Sequence, residues 1–239
     1  MMPLTLRAAF RLLTIVPLRW DPREAELQPA RSTLWFPLVG LALGILLYAI
    51  MLLPVGALPR AAVCLVIWIA LSGGLHEDGL MDCADAAFAP VDAAKRAAIR
   101  KDAHVGAHAV TVVVLLTLVR FAALTEAGAP AVVLAPVVGR WSMALTLALF
   151  EAHPTSTLGA AFAGTARARA VSAFAFAIVL MLAVWQRDPR FVTATAVALV
   201  AALGCARWLA RRFGGASGDV HGAAGVVAEA ITLCALVPV

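Results

Sequence analysis

The chain has 239 residues, 63% of them apolar and 14% charged, with a mean hydropathy of +0.93. Soluble domains are about 45–50% apolar and about 25% charged, so this sequence lacks the polar residues to cover a water-facing surface. Disorder, a disulfide scaffold and an ordinary soluble enzyme are excluded, and the net charge of +5 reads as loop bias in a membrane protein rather than as nucleic-acid binding.

The first twenty residues set Arg7 and Arg11 among Leu4, Leu6, Phe10, Leu12, Leu13, Ile15 and Val16, and Pro17 ends the run. No small-residue cleavage site follows, so the segment reads as an amphipathic helix at the membrane interface, with a short re-entrant span as the alternative. Beyond it, seven stretches have roughly the 20 mostly apolar residues that a spanning helix needs. They are 33–53, 58–75, 105–126, 130–150, 170–186, 191–209 and 220–238. The expected class is an all-α polytopic bundle of about seven spans plus the N-terminal helix, one domain over residues 1–239.

Seven spans place the N-terminus and the connections near 76–104, 151–169 and 210–219 on one side. That side collects fourteen Lys and Arg, while only Arg60, Arg187 and Arg190 fall on the other, with Arg120 and Arg140 inside spans. The positive-inside rule then predicts a bacterial cytoplasmic (inner) membrane protein with its N-terminus and polar loops in the cytoplasm. Cys64, Cys205 and Cys234 lie in apolar runs and Cys83 has no CxxC partner, so neither zinc nor a disulfide is suggested.

Six of the fourteen acids lie between Glu77 and Asp102. Asp78, Asp82 and Asp85 are spaced i, i+4, i+7, which puts three carboxylates on one helical face. Like charges stacked this way repel, and a hard divalent cation offsets the repulsion economically. Magnesium takes one or two carboxylates plus phosphate oxygens, leaving a third for a second metal or for base work. Glu77 is turned about 100° from that face. Downstream, Lys95, Arg96, Arg100 and Lys101 precede Asp102 and His104. Arg100 and Asp102, close to the membrane re-entry at Gly106, suit a diphosphate held between metal and guanidinium groups. Lys95 and Arg96 read as topogenic charges. His76 and His104 flank the cluster as candidate proton acceptors.

A second polar stretch runs from Arg211 and Arg212 through Ser217, Gly218, Asp219 and His221, with five glycines between 214 and 225. Glycines leading into a helix let backbone N–H groups approach an anion, and Asp219 is a candidate metal or hydroxyl ligand there. Two charges lie deep in expected spans, Arg140 and Glu229. Each is costly in hydrocarbon, so both should face the interior, either paired with each other or with Arg140 reaching a phosphate.

These residues resemble a known family. His76-x-Asp78-Gly79-Leu80-x-Asp82-x-x-Asp85, after Gly73-Gly74, is similar to the signature of cobalamin synthase, the adenosylcobinamide-GDP ribazoletransferases. Phe10 to Pro17, Phe36-Pro37-Leu38-Val39-Gly40 with Gly44, and Arg100-Lys101-Asp102 with Gly106 look like further family segments. So does Gly214-Gly215-x-x-Gly218-Asp219 with Gly222-Ala223-Ala224 and Glu229, and Leu158-Gly159 with Phe162 is a weaker echo. Ala103, His104 and Ala86 depart from the pattern.

The resemblance implies an Mg²⁺-dependent transfer. A ribose hydroxyl of α-ribazole, or of its 5′-phosphate, attacks the cobinamide-linked phosphorus of adenosylcobinamide-GDP, and GMP leaves. Asp78, Asp82, Asp85 and Asp219 would hold the metal, and Asp82, Asp85, Asp102 and His104 would do the chemistry. His76, Arg100, Lys101, Arg140, Arg211, Ser217 and Gly218 would hold substrate. Implied partners are these substrates and membrane lipid, with homo-oligomerisation and contacts to other late enzymes of the pathway left open. Two rival enzymes fit less well: a CDP-alcohol phosphotransferase needs Ala-Arg soon after Asp-Gly, and a membrane prenyltransferase needs two Asp-rich motifs. A cation or proton transporter should carry acids near mid-bilayer, where only Glu229 qualifies.

Overall fold

A computed structural model describes residues 2–19, 29–92, 96, 99, 104–154 and 165–238. Nine α-helices are found among them: α1 Leu4–Leu13, α2 Phe36–Met51, α3 Ala57–Leu71, α4 Leu75–Phe88 and α5 Ala107–Glu126, then α6 Ala129–Leu149, α7 Thr165–Gln186, α8 Arg190–Phe213 and α9 Gly218–Ala235. A 3₁₀ segment, Pro29–Trp35, leads into α2. The described residues form no β-strand beyond one isolated bridge between Ala152 and Ala216. The architecture is therefore the all-α membrane bundle that composition and periodicity require.

Composition also decides which helices face lipid. Val110, Val114, Leu115 and Leu118 on α5, and Phe176, Leu180, Met181 and Val184 on α7, are exposed at helical spacing. Apolar belts of this size are not left facing water. Five helical segments are long and apolar enough to cross a membrane: Arg31–Met51, Ala107–Glu126, Ala129–Leu149, Ala168–Gln186 and Arg190–Phe213. The α3–α4 pair passes together as a sixth, but it bends by 85°.

That bend falls at Ser72-Gly73-Gly74. Both glycines adopt left-handed geometry, with φ of +66° and +67°, which an L side chain disfavours. The apolar stretch at 58–75 thus stops at Leu71, and the acidic motif leaves on a new axis. The last expected span, 220–238, forms α9 but is not among the five, because Asp219, His221 and Glu229 dilute its apolar character. Protein rather than lipid surrounds it, since Val220 to Val226 and Ala228 to Ala230 are all buried.

At the centre stands α6, buried almost throughout from Ala131 to Leu147. α2 and α9 pack on it through glycines. A Cβ on Gly40 would lie 2.4 Å from the Pro136 carbonyl oxygen, and one on Gly44 would lie 2.7 Å from that of Val133. Only small residues at this i, i+4 spacing let two helices approach so closely. α4 meets α9 in the same way. A Cβ on Gly79 would lie 2.9 Å from the Asp219 Cα, and one on Gly222 would lie 3.3 Å from the His76 Cα. The two motifs, 140 residues apart, are thereby placed back to back.

Candidate active site

A cavity of about 190 Å³ opens where these two motif helices touch. His76 and Asp78 of α4 line it from one side, and Gly218, Asp219, His221 and Gly222 of α9 from the other. Asp78 and Gly218 are exposed at its mouth, whereas His76 and His221 are buried. Within the site, Ser217 Oγ donates to Asp219 Oδ2 at 3.0 Å, and the His221 Nδ1 lies 2.9 Å from the Thr146 hydroxyl of α6. His76 Nε2 is buried without a hydrogen-bond partner. The apolar remainder of the wall is Leu12, Leu13, Phe36, Leu75, Met143 and Leu147.

The three stripe carboxylates share a helix face but meet different neighbours. Asp78 lines the cavity, and Asp82 is half-buried further along α4. Asp85 is turned to the start of α5, where Oδ2 accepts from the Gly106 N–H at 2.6 Å and Oδ1 from the Ala109 N–H at 2.9 Å. The first N–H groups of a helix have no intrahelical acceptor, so a carboxylate that takes two of them acts as a cap supplied from another helix. Among the described residues no group of three or more His, Cys, Asp and Glu gathers as ready-made metal ligands.

Arg140 does not line this cavity. Its guanidinium is 1% exposed and its Nη1 donates to Glu229 Oε1. Glu229 Oε2 also lies 3.2 Å from Nη2 of Arg120, and Nη1 of Arg120 donates to Glu77 Oε1 at 2.8 Å. The face of the Trp68 ring covers the Arg120 guanidinium at 4.8 Å. Two buried carboxylates and two buried guanidiniums therefore balance across α4, α5, α6 and α9. Of the two roles open to Arg140, the ion pair is present in the fold. Glu229 is likewise an ion-paired carboxylate, bound to both Arg120 and Arg140.

Arg211 and His104 are exposed and neither lines the cavity. Arg100, Lys101 and Asp102, with Leu158, Gly159 and Phe162, lie outside the described residues. Sequence reasoning gave His221 no role. Its signal was a histidine two residues after Asp219 on a helix that is otherwise small and apolar. Glu77, read as pointing away from the stripe, does so and meets Arg120.

Two motif helices enclosing a carboxylate- and imidazole-lined cavity inside a multi-pass bundle define an integral membrane protein with an enzyme-like site. The sequence matches the family described as cobalamin-5-phosphate synthase over residues 5–237. The chain belongs to that family, whose members are transferases of cobalamin synthesis. Its similarity to curated proteins is also end to end. It is 38% identical to the adenosylcobinamide-GDP ribazoletransferase of Stutzerimonas stutzeri, covering 99% of this chain and 98% of that protein. It is 38% identical to the enzyme of that name from Ectopseudomonas mendocina, covering 96% and 97%. For the one from Deinococcus radiodurans the identity is 37%, covering 95% and 83%. No solved structure matches significantly.

Proposed function

We propose that the chain joins adenosylcobinamide-GDP to α-ribazole, or to its 5′-phosphate, giving adenosylcobalamin or its 5′-phosphate and releasing GMP. The observation that carries this reading is the shared cavity, because it brings His76 and Asp78 within one small space with Gly218, Asp219 and His221. Full-length similarity to proteins named for this reaction supports it.

The reaction exchanges the phosphoanhydride link of the diphosphate for a phosphodiester. A ribose hydroxyl oxygen bonds to the phosphorus carrying the cobinamide arm, the bond from that phosphorus to the bridging oxygen breaks, and GMP leaves with that oxygen. Such transfers depend mostly on positioning and charge neutralisation. His76 Nε2, buried and unpartnered at the cavity wall, takes the hydroxyl proton. His221 is held by Thr146 and orients the acceptor, while the N-terminus of α9, opening with Gly218 and Asp219, faces phosphate oxygens.

Asp78 and Asp219 offer hard oxygen donors from facing helices, and Mg²⁺ prefers one or two carboxylates completed by phosphate oxygens and water. This donor set fits Mg²⁺ once a diphosphate is present; bound there, the ion would neutralise charge on the leaving phosphate. Asp82, one turn from Asp78, supports the same ion. The cytoplasmic membrane, with the cavity mouth on the cytoplasmic side, is the setting that the loop cations favour.

Purified chain in detergent, given adenosylcobinamide-GDP, α-ribazole and Mg²⁺, is expected to release GMP and to stop when EDTA is added. Absence of GMP release with metal present would sink the assignment, and EDTA-resistant release would remove the metal. Asp78→Ala and Asp82→Ala are each expected to abolish release while the protein still inserts in the membrane.

A further inference from the structure

The cavity is chemically divided. Its polar side chains, His76, Asp78, Asp219 and His221, come from α4 and α9, whereas α1, α2 and α6 contribute only apolar ones, Leu12, Leu13, Phe36, Met143 and Leu147. Phosphate chemistry uses the polar side chains and leaves the apolar wall without a task. α1, an amphipathic helix by sequence, is also fixed more firmly than a membrane anchor requires. The Trp35 Nε1–H donates to Thr5 Oγ1 at 2.9 Å near one end of the helix, and beyond the other end the Ile15 N–H donates to the Leu71 carbonyl at 2.9 Å. Ile15 packs on Gly73, at the bend that launches α4.

We infer that the apolar wall of this cavity, from α1, α2 and α6, seats the base of the acceptor nucleoside. The inference rests on the reaction proposed above and names which substrate group the site recognises. Size argues first. An apolar cavity of about 150 Å³ takes one benzene ring, so the apolar part of a cavity of about 190 Å³ in all, open at one side, has room for a flat aromatic base. It cannot take a corrin macrocycle.

Polarity then selects between the two bases in the reaction. Guanine carries a carbonyl, a ring N–H and an amino group, each of which needs a partner when buried. Leucine, phenylalanine and methionine side chains offer no such partner. The dimethylbenzimidazole of α-ribazole has no exocyclic donor or acceptor, only one ring nitrogen that accepts, and its methyl-bearing benzo ring matches this lining. Met143 adds a flexible thioether suited to aromatic rings. With the base against that wall, the attached ribose can face α4 and α9, where a hydroxyl must lie to be deprotonated by His76.

The test separates the two substrates. Leu12→Phe narrows the cavity from α1, a peripheral helix, and Leu147→Phe narrows it from α6. Each is expected to raise the KM for α-ribazole by about tenfold or more, the usual effect of a misfit in an apolar pocket, with the KM for adenosylcobinamide-GDP little changed. A rise confined to adenosylcobinamide-GDP, or an equal rise for both, overturns the assignment. Equilibrium dialysis of α-ribazole against the full chain, without the second substrate, supplies a readout independent of turnover. Binding to the unmodified chain that is lost in Leu12→Phe supports the pocket even if no GMP is released. Binding that is equal in both chains overturns it even if GMP is released. Should Leu147→Phe fail to fold, Leu12→Phe decides alone.

Discussion

Asp85 takes two backbone N–H groups at the start of α5, and Gly106 is what allows it. A Cβ at position 106 would lie 2.5 Å from the Asp85 Oδ1, so any other residue there displaces the carboxylate. Losing an N-terminal cap costs about 1–2 kcal/mol. Asp85→Ala is therefore expected to lower the thermal midpoint in detergent and to reduce GMP release only as far as α5 is displaced. Asp78→Asn, at an exposed position, should leave the midpoint unchanged and abolish release. An Asp85→Ala protein with an unchanged midpoint and no release would instead return Asp85 to the reaction itself. The spacing of the three aspartates was legible in the sequence because helical geometry alone sets a face. What each carboxylate on that face meets depends on which helix packs there, and that was not legible. The same limit applied to His221, whose importance comes from Thr146, 75 residues earlier.

Between helices, the quartet of Glu77, Arg120, Glu229 and Arg140 ties α4 and α9, which carry the site, to α5 and α6. Removing one member of a buried pair leaves an uncompensated charge and costs about 3–5 kcal/mol, whereas neutralising both partners costs far less. Arg140→Gln and Glu229→Gln should each sharply reduce folded protein recovered from membranes, and the double variant should fall well short of their sum. Strict additivity in the thermal midpoints would show that the pair is not coupled. The double variant keeps Glu77 with Arg120, so the remaining charges still balance. Sequence reasoning reached the pair because two charges deep in apolar segments have few alternatives. It did not reach Arg120 as the bridge, since two spans that touch leave no common signal in a one-dimensional pattern. The α3–α4 bend was only half legible. Gly73-Gly74 marks a break, but its 85° direction comes from two consecutive left-handed residues. Gly74→Ala, with open space around it but φ at +67°, is expected to cost about 1–2 kcal/mol through backbone strain alone. An unchanged midpoint would contradict that account.

Across the whole molecule, two contacts fix which loops share an end of the bundle. The His153 N–H donates to the Ala216 carbonyl and the Ala216 N–H to the Glu151 carbonyl, both at 2.8 Å, so the α6–α7 and α8–α9 connections lie together. The packing of Gly79 on Asp219 brings the start of α4 to the same end. α5, α6 and α7 are each long enough to cross, so Pro90 and Pro154 must share a side and Pro189 must lie opposite, whatever the total number of spans. The count of seven was the fragile part of the sequence reading, because a bent pair and a buried polar helix do not fit a rule written for lipid-facing spans. The parity needs only the three middle spans, each long and apolar enough to cross. The cation excess predicts the absolute direction, with the Pro90 and Pro154 side in the cytoplasm. With Cys64, Cys83, Cys205 and Cys234 replaced, Pro189→Cys in intact cells is expected to react with a membrane-impermeant maleimide. Pro90→Cys and Pro154→Cys should react only after permeabilisation. The reverse pattern would place the cavity mouth on the outer face, away from any cytoplasmic supply of nucleotide-activated substrate. A split between Pro90 and Pro154 would break the bundle topology itself, because no helical arrangement joins Ala152 to Ala216 and Gly79 to Asp219 from opposite sides of a bilayer.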